Sequence, residues 1–114
     1  MGLKIIKKRS CLFHIIFFSF FPKVKDKNKN EIIKMCDSLG KKCGGKEAGI
    51  LFWVARRNID LRKKIDFIEI GIFKDKKSFK KFKDHPYHKE FVEIIKKHAD
   101  WFVVDFFDYF PKLS

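Results

Sequence analysis

The chain's four histidines, with a few acids and thiols, are the side chains suited to moving protons or binding a metal. Two of them stand close together in His85-Pro86-Tyr87-His88. The residue before a proline avoids the α conformation, and proline suits the first position of a helix. His85 therefore falls at an N-cap and His88 in the first helical turn. A helix N-terminus carries partial positive charge, and Lys83 and Lys89 flank the pair; both effects favour a neutral imidazole at His88. A neutral imidazole accepts a proton, which makes His88 the candidate general base. The plainer reading has His85 capping the helix and His88 hydrogen-bonding a neighbour. No carboxylate or Cys completes a ligand set around the two rings, so no metal site and no cofactor are expected. Glu69 interrupts an otherwise apolar strand face and is expected to pair with a Lys or Arg of a second copy. Arg56 and Arg57, near Trp53, offer a cation–π or anion contact. Cys11, Cys36 and Cys43 form no CxxC and no zinc-like spacing, so reduced thiols and a cytoplasmic setting are expected.

Positioning these groups takes four strands and two helical crossovers. The first strand is Cys11 to Phe21, rich in aromatic and β-branched residues, broken by His14 and ended by Pro22. Asn30 is placed to cap a helix from Glu31 to Leu39, and Gly40 to stop it. The second strand runs from Ile50 to Arg56 and the third from Ile65 to Phe73, with a polar turn region at Asn58 to Lys64. Asp75 caps a helix over Lys76 to Lys83, with Phe79 and Phe82 inward. The helix opened by Pro86 carries Phe91, Ile94, Ile95 and His98 on one stripe. The last strand begins at Asp100 or Trp101 and ends at Phe110, before Pro111. The order β-α-β-β-α-β predicts an α+β, ferredoxin-like fold with one four-stranded antiparallel sheet and its helices on one face.

The strands are apolar on both sides. Leu12, Ile16, Phe18 and Phe20 oppose Phe13, Ile15, Phe17 and Phe21. Ile68, Ile70 and Ile72 oppose Phe67 and Phe73. Helices on one face leave the other as a large exposed patch. A second copy packed face to face covers it, so the patterning predicts a homodimer.

With 114 residues the chain is one domain, and 46% apolar residues exclude a disordered basic tail. The formal charge is +13, yet only four of the 27 basic residues are Arg (Arg9, Arg56, Arg57, Arg62). Lys, Phe, Ile and Asn abound while Ala and Arg are scarce, as A/T-rich codons would produce. Much of the charge then reads as a solvated Lys coat rather than a nucleic-acid footprint. Lys4, Lys7, Lys8 and Arg9 before the apolar run imitate a secretory signal, but no small-x-small cleavage site follows. Gly2 invites myristoylation, but Ile6 stands where Ser or Thr belongs. Secretion or membrane association through residues 1–21 is the alternative to the cytoplasm.

Several ordered segments together resemble the stress-responsive A/B barrel (Dabb) family. They are Phe73 followed by His85-Pro86-Tyr87-His88 and Phe91, the strand Asp100-Trp-Phe-Val-Val-Asp-Phe106, and the opening strand Leu12-Phe-His-Ile-Ile-Phe-Phe18. Gly49-Ile50-Leu51, with Arg57-Asn58 further on, is similar to the family's second strand and turn. The resemblance covers residues 11–110, leaving a basic extension at 1–10 and a tail at 111–114. It implies a dimeric α+β barrel in which two ferredoxin-like sheets close on one another. It also implies a cavity between sheet and helices lined by His14, Ile16, Phe82 and His85. A polyketide cyclase of that family uses the second His of His-Pro-x-His, here His88, and a Tyr three residues before the first. That Tyr position is Phe82 here, which has no hydroxyl for a developing oxyanion.

Three readings of function follow. The first is a small homodimeric barrel with a stress-response or small-ligand role, its ligand apolar or carbonyl-bearing, without catalysis. The second is a polyketide cyclase-like lyase with His88 as base. The third is a binder of nucleic acid or acidic membrane through the Lys-rich surface. The aromatics stand at core spacing rather than at exposed stacking positions, which puts the third behind the others.

Overall fold

The computed structural model describes residues 10–110. The tail 111–114 and all but the last residue of the extension 1–10 lie outside them, and with them Gly2 and the basic residues Lys4 to Arg9 of the lipidation and secretory readings. The elements are β1 (Ser10–Phe20), α1 (Asp26–Lys42), a short 3-10 turn (Gly45–Ala48), β2 (Ile50–Arg57), β3 (Phe67–Phe73), α2 (Lys76–Asp84), α3 (Pro86–Ile95) and β4 (Ala99–Tyr109). The four strands form one sheet in the order β2-β3-β1-β4, every neighbour antiparallel. The β1–β2 connection passes over β3 and the β3–β4 connection passes over β1. Crossovers of this kind share one hand, which brings all three helices to one face of the sheet. No helix of the described residues is long and apolar enough to cross a membrane.

Short-range rules account for α2 and α3. The Asp75 carboxylate accepts the Ser78 backbone N–H at 2.8 Å and caps α2. His85 is extended and caps α3, with Pro86 in its first turn. α1 differs from expectation at both ends. It begins at Asp26 with no side-chain cap and runs through Gly40 to Lys42. Asp26 in its first turn and Lys41 and Lys42 in its last complement the helix dipole. Gly40 serves packing instead of termination: a Cβ there would lie 2.4 Å from Cγ of Trp53. The indole fills that space and donates its Nε1–H to the Cys36 carbonyl at 2.9 Å. The chain leaves the helix at Gly44, where φ reaches +110°, a value L side chains rarely adopt.

The core lies between sheet and helices. Leu12, Ile16 and Phe18 of β1 and Phe67 and Phe73 of β3 meet Ile32, Cys36 and Leu39 of α1, with Phe82 and Phe91 from α2 and α3. Phe18 stacks on Phe67 at 4.3 Å between ring centres. The opposite face carries Phe13, Ile15 and Phe17 between Ile68, Ile70 and Ile72 on one side and Phe102, Val104 and Phe106 on the other. No element of the described residues covers it, and Phe102, the most open of these, is 55% exposed.

Candidate functional site

Strand alternation puts His14 on the helix-facing side of β1, opposite Gly71 on β3 and Asp105 on β4. His14 is buried and both ring nitrogens have acidic partners. Nδ1 donates to Asp105 Oδ1 at 2.6 Å, and Nε2 lies 3.2 Å from Glu69 Oε2. Burial pushes the imidazole toward its neutral form, but hydrogen bonds and charge from Glu69 and then Asp105 outweigh it. The pKa of His14 is raised, which favours the imidazolium between its two carboxylate partners.

Glu69 is not an interface residue. It shares the parity of Phe67 and Phe73, so it points at the helices, where it is buried. The expected Lys or Arg of a second copy is replaced by His14 of the same chain. Its Oε1 accepts the Cys36 thiol at 3.2 Å. Its Oε2 makes no hydrogen bond of good geometry and is held by the charge of His14. Burial, reinforced by the Glu69 charge, pushes the Cys36 thiol well up, so this cysteine is an unreactive donor.

His88 stands one turn into α3, its ring 4.6 Å from that of Phe82. Nδ1 lies 3.1 Å from the Lys83 carbonyl. A carbonyl only accepts, so Nδ1 carries the proton and Nε2 of the neutral ring keeps its lone pair. The pKa of His88 is lowered, first by burial, with smaller contributions from the charges of His14 and Lys83. The main cause of this shift is desolvation rather than the flanking lysines. The two imidazoles at one cleft are thus shifted in opposite directions, His14 toward the charged form and His88 toward the neutral one.

The cleft between sheet and α3 measures about 180 Å³ and is lined by His14, Ile16, Glu69, His88, Trp101 and Val103, among others. Phe82 and His85 are not among its lining residues. Phe82 is 2% exposed, packed in the core beneath His88. His85 turns the other way: its Nδ1 accepts the Tyr87 N–H at 3.2 Å and its ring stacks on Tyr87. Among the described residues no group of three or more His, Cys, Asp or Glu side chains is placed to hold a metal ion. The arginines reach α1 rather than an anion site: Arg56 pairs with Asp37 at 2.7 Å and Arg57 donates to Asn30. Sequence reasoning placed neither Glu69 nor Asp105 at this site: Glu69 was expected at an interface. Strand parity relative to His14 was the available signal, since all three face the same layer.

The profile of the stress-responsive A/B barrel domain matches residues 12–108 of this chain. The chain belongs to the stress-responsive A/B barrel (Dabb) family. The matched span contains His14, Glu69, His88 and Asp105. Among solved structures, a dimeric ferredoxin-like protein of unknown function from Thermobifida fusca aligns with a TM-score of 0.75 at 19% identity, over 85% of this chain and 90% of that one. A Dabb family protein with a ferredoxin-like fold from Mesorhizobium loti gives 0.70 at 16% identity, over 90% and 98%. The hydroxynitrile lyase from Passiflora edulis gives 0.74 at 16% identity, over 90% and 99%. Identities this low establish a shared fold and nothing about chemistry. A search of the curated proteins found no match.

Proposed function

We propose that this Dabb protein is a homodimeric α+β barrel that binds a small apolar or carbonyl-bearing ligand in the His14–His88 cleft without turning it over. The cleft itself carries the reading. Apolar walls from Ile16, Phe18, Phe91 and Ile95 close on a few oriented polar groups, the usual make-up of a small-molecule site. Its volume suits a compact ligand. Phe82 beside His88 supports binding over catalysis, because it leaves the imidazole without a neighbouring hydroxyl donor for an oxyanion. The uncovered apolar face of the sheet supports self-association, as do the dimeric proteins that share the fold. Buried thiols at Cys36 and Cys43 favour a reducing, cytoplasmic setting.

One observation favours a second reading. Neutral His88 keeps Nε2 as an acceptor at the cleft, as the base of a cyclase or lyase would. The hydroxynitrile lyase neighbour has the same fold. Thermal-shift screening of small aromatic and carbonyl compounds separates the two. Under the first reading a hit raises the melting temperature of the wild type and not of Val103→Trp, which fills the cleft, and no product forms. Product formation abolished in His88→Ala would select the second. Sedimentation as a monomer at micromolar concentration would refute the dimer.

A further inference from the structure

The loop from Asn58 to Asp66, between β2 and β3, holds two aliphatic side chains in open water among charged ones. Ile59 and Leu61 are 94% and 88% exposed, the most open large apolar residues among those described. Polar residues between and beside them brace the loop by bonding to one another and to its backbone. Asn58 Nδ2 donates to the carbonyls of Asp60 and Ile65 at 2.7 and 2.8 Å, and the Asp60 N–H returns a bond to Asn58 Oδ1. Asp60 in turn accepts the backbone N–H and the guanidinium of Arg62. Ser19 Oγ ties the Lys64 carbonyl to β1. The two aliphatic side chains are therefore projected by a built framework rather than stranded on a slack loop.

The surroundings carry a surplus of cations, although Arg62 is paired with Asp60 and Asp100 is exposed at the same end. Arg62, Lys63 and Lys64 follow Leu61 directly and are exposed. The register places this loop at the sheet end where β1 finishes and β4 begins, since Phe18 pairs with Phe67 and Phe20 with Ala99. Exposed Lys23, Lys25 and Lys97 emerge at that same end. Aliphatic residues at a tip within a field of Lys and Arg are the complement of one surface: anionic headgroups above an acyl layer. A nucleic acid would use the charge but has no place for the two aliphatic side chains, and no aromatic stands at the tip to stack on a base.

We propose that the Asn58–Asp66 loop docks this protein on anionic lipid bilayers, with Ile59 and Leu61 inserted at the headgroup boundary and the adjacent cations on the phosphates and carboxylates. Co-flotation of the full chain tests this with two vesicle types: phosphatidylcholine alone, and phosphatidylcholine with roughly 30% phosphatidylserine. Binding is expected to the second only, and to be lost at about 0.5 M salt. The double variant Ile59→Ser/Leu61→Ser should bind about tenfold more weakly with an unchanged melting temperature, because both side chains are already in water. Arg62→Ser/Lys63→Ser/Lys64→Ser should reduce the preference for phosphatidylserine. Ile59→Trp should give added fluorescence that brominated acyl chains quench. Failure to float with phosphatidylserine vesicles overturns the proposal. So does wild-type affinity in the Ile59→Ser/Leu61→Ser variant, or an Ile59→Trp signal that brominated lipid leaves unquenched. Binding to single-stranded polyuridylate with the same affinity in wild type and Ile59→Ser/Leu61→Ser, and none to vesicles, would assign the charge to nucleic acid instead.

Discussion

The two faces of the sheet differ in how they deal with removal from water. The helix-facing side buries ionisable groups within an apolar core, and each is matched inside the chain: Glu69 by His14 and Cys36, His14 by Asp105 as well. The opposite side is apolar across its centre, at Ile15, Ile70, Val54 and Val104, and nothing among the described residues covers it. Chemistry collects where burial forces charges to pair, because desolvation and close partners there act on protonation together. Association collects where apolar area has no internal partner.

Removing one member of the paired side should have the largest effect. His14→Leu leaves the Glu69 carboxylate buried beside an apolar side chain. The expected loss is about 3–5 kcal/mol in urea unfolding. The double variant His14→Leu/Glu69→Leu should recover most of it, since an apolar pair replaces a buried ion pair at little net cost. If the double variant is as unstable as the single, the pairing account of this face fails.

The next test moves to the open face. Ile70 sits at its centre, between Ile15 and Val54. Ile70→Lys should weaken self-association by roughly a hundredfold or more, seen as a shift to monomer in sedimentation, because each partner would bury an unpaired ammonium. A ligand-induced rise in melting temperature should survive if the cleft is complete within one chain.

The two histidines supply a comparison inside the paired side. His14 has a raised pKa, so its contribution to stability is full below the ordinary imidazole value of about 6.5 and is lost as pH rises through its folded value. His88 has a lowered pKa, so its neutral state adds stability above about 6.5 that is lost as pH falls through its folded value. Unfolding measured across this range should lose its alkaline slope in His14→Asn and its acid slope in His88→Gln. Separate NMR titrations of the two rings, His14 above His88, would establish the order directly; the reverse order would break it. The smallest effect belongs to Asp105→Asn. Asp105 is partly exposed at 41%, so the expected loss is about 0.5–1 kcal/mol, with a downward move of the His14 titration.

Much of the fold was legible because it depends on neighbours in the chain. Asp75 and His85-Pro86 set the starts of α2 and α3 through bonds spanning a few residues. Alternation along β1 separated its two faces. α1 was less legible: its start lacks a side-chain cap, and its passage through Gly40 depends on Trp53, from another strand. The same limit applied to the site. His14 and His88 announced themselves by residue type and motif. Glu69 was read toward the wrong partner, because its meaning comes from lying across the sheet from β1 and beneath Cys36 of α1. Ile59 and Leu61 sat unnoticed in a polar stretch, since exposure is not written in a short sequence window.

By itself, then, the sequence determined the element order, the two-faced strands and the histidines, all properties carried by local conformation and period. The tertiary structure alone decided which way each histidine's pKa moves, what pairs with Glu69, that Phe82 and His85 do not line the cleft, and which loop presents apolar side chains to water. Those depend on distances of a few ångströms between segments far apart in the chain, and on the water excluded when they meet.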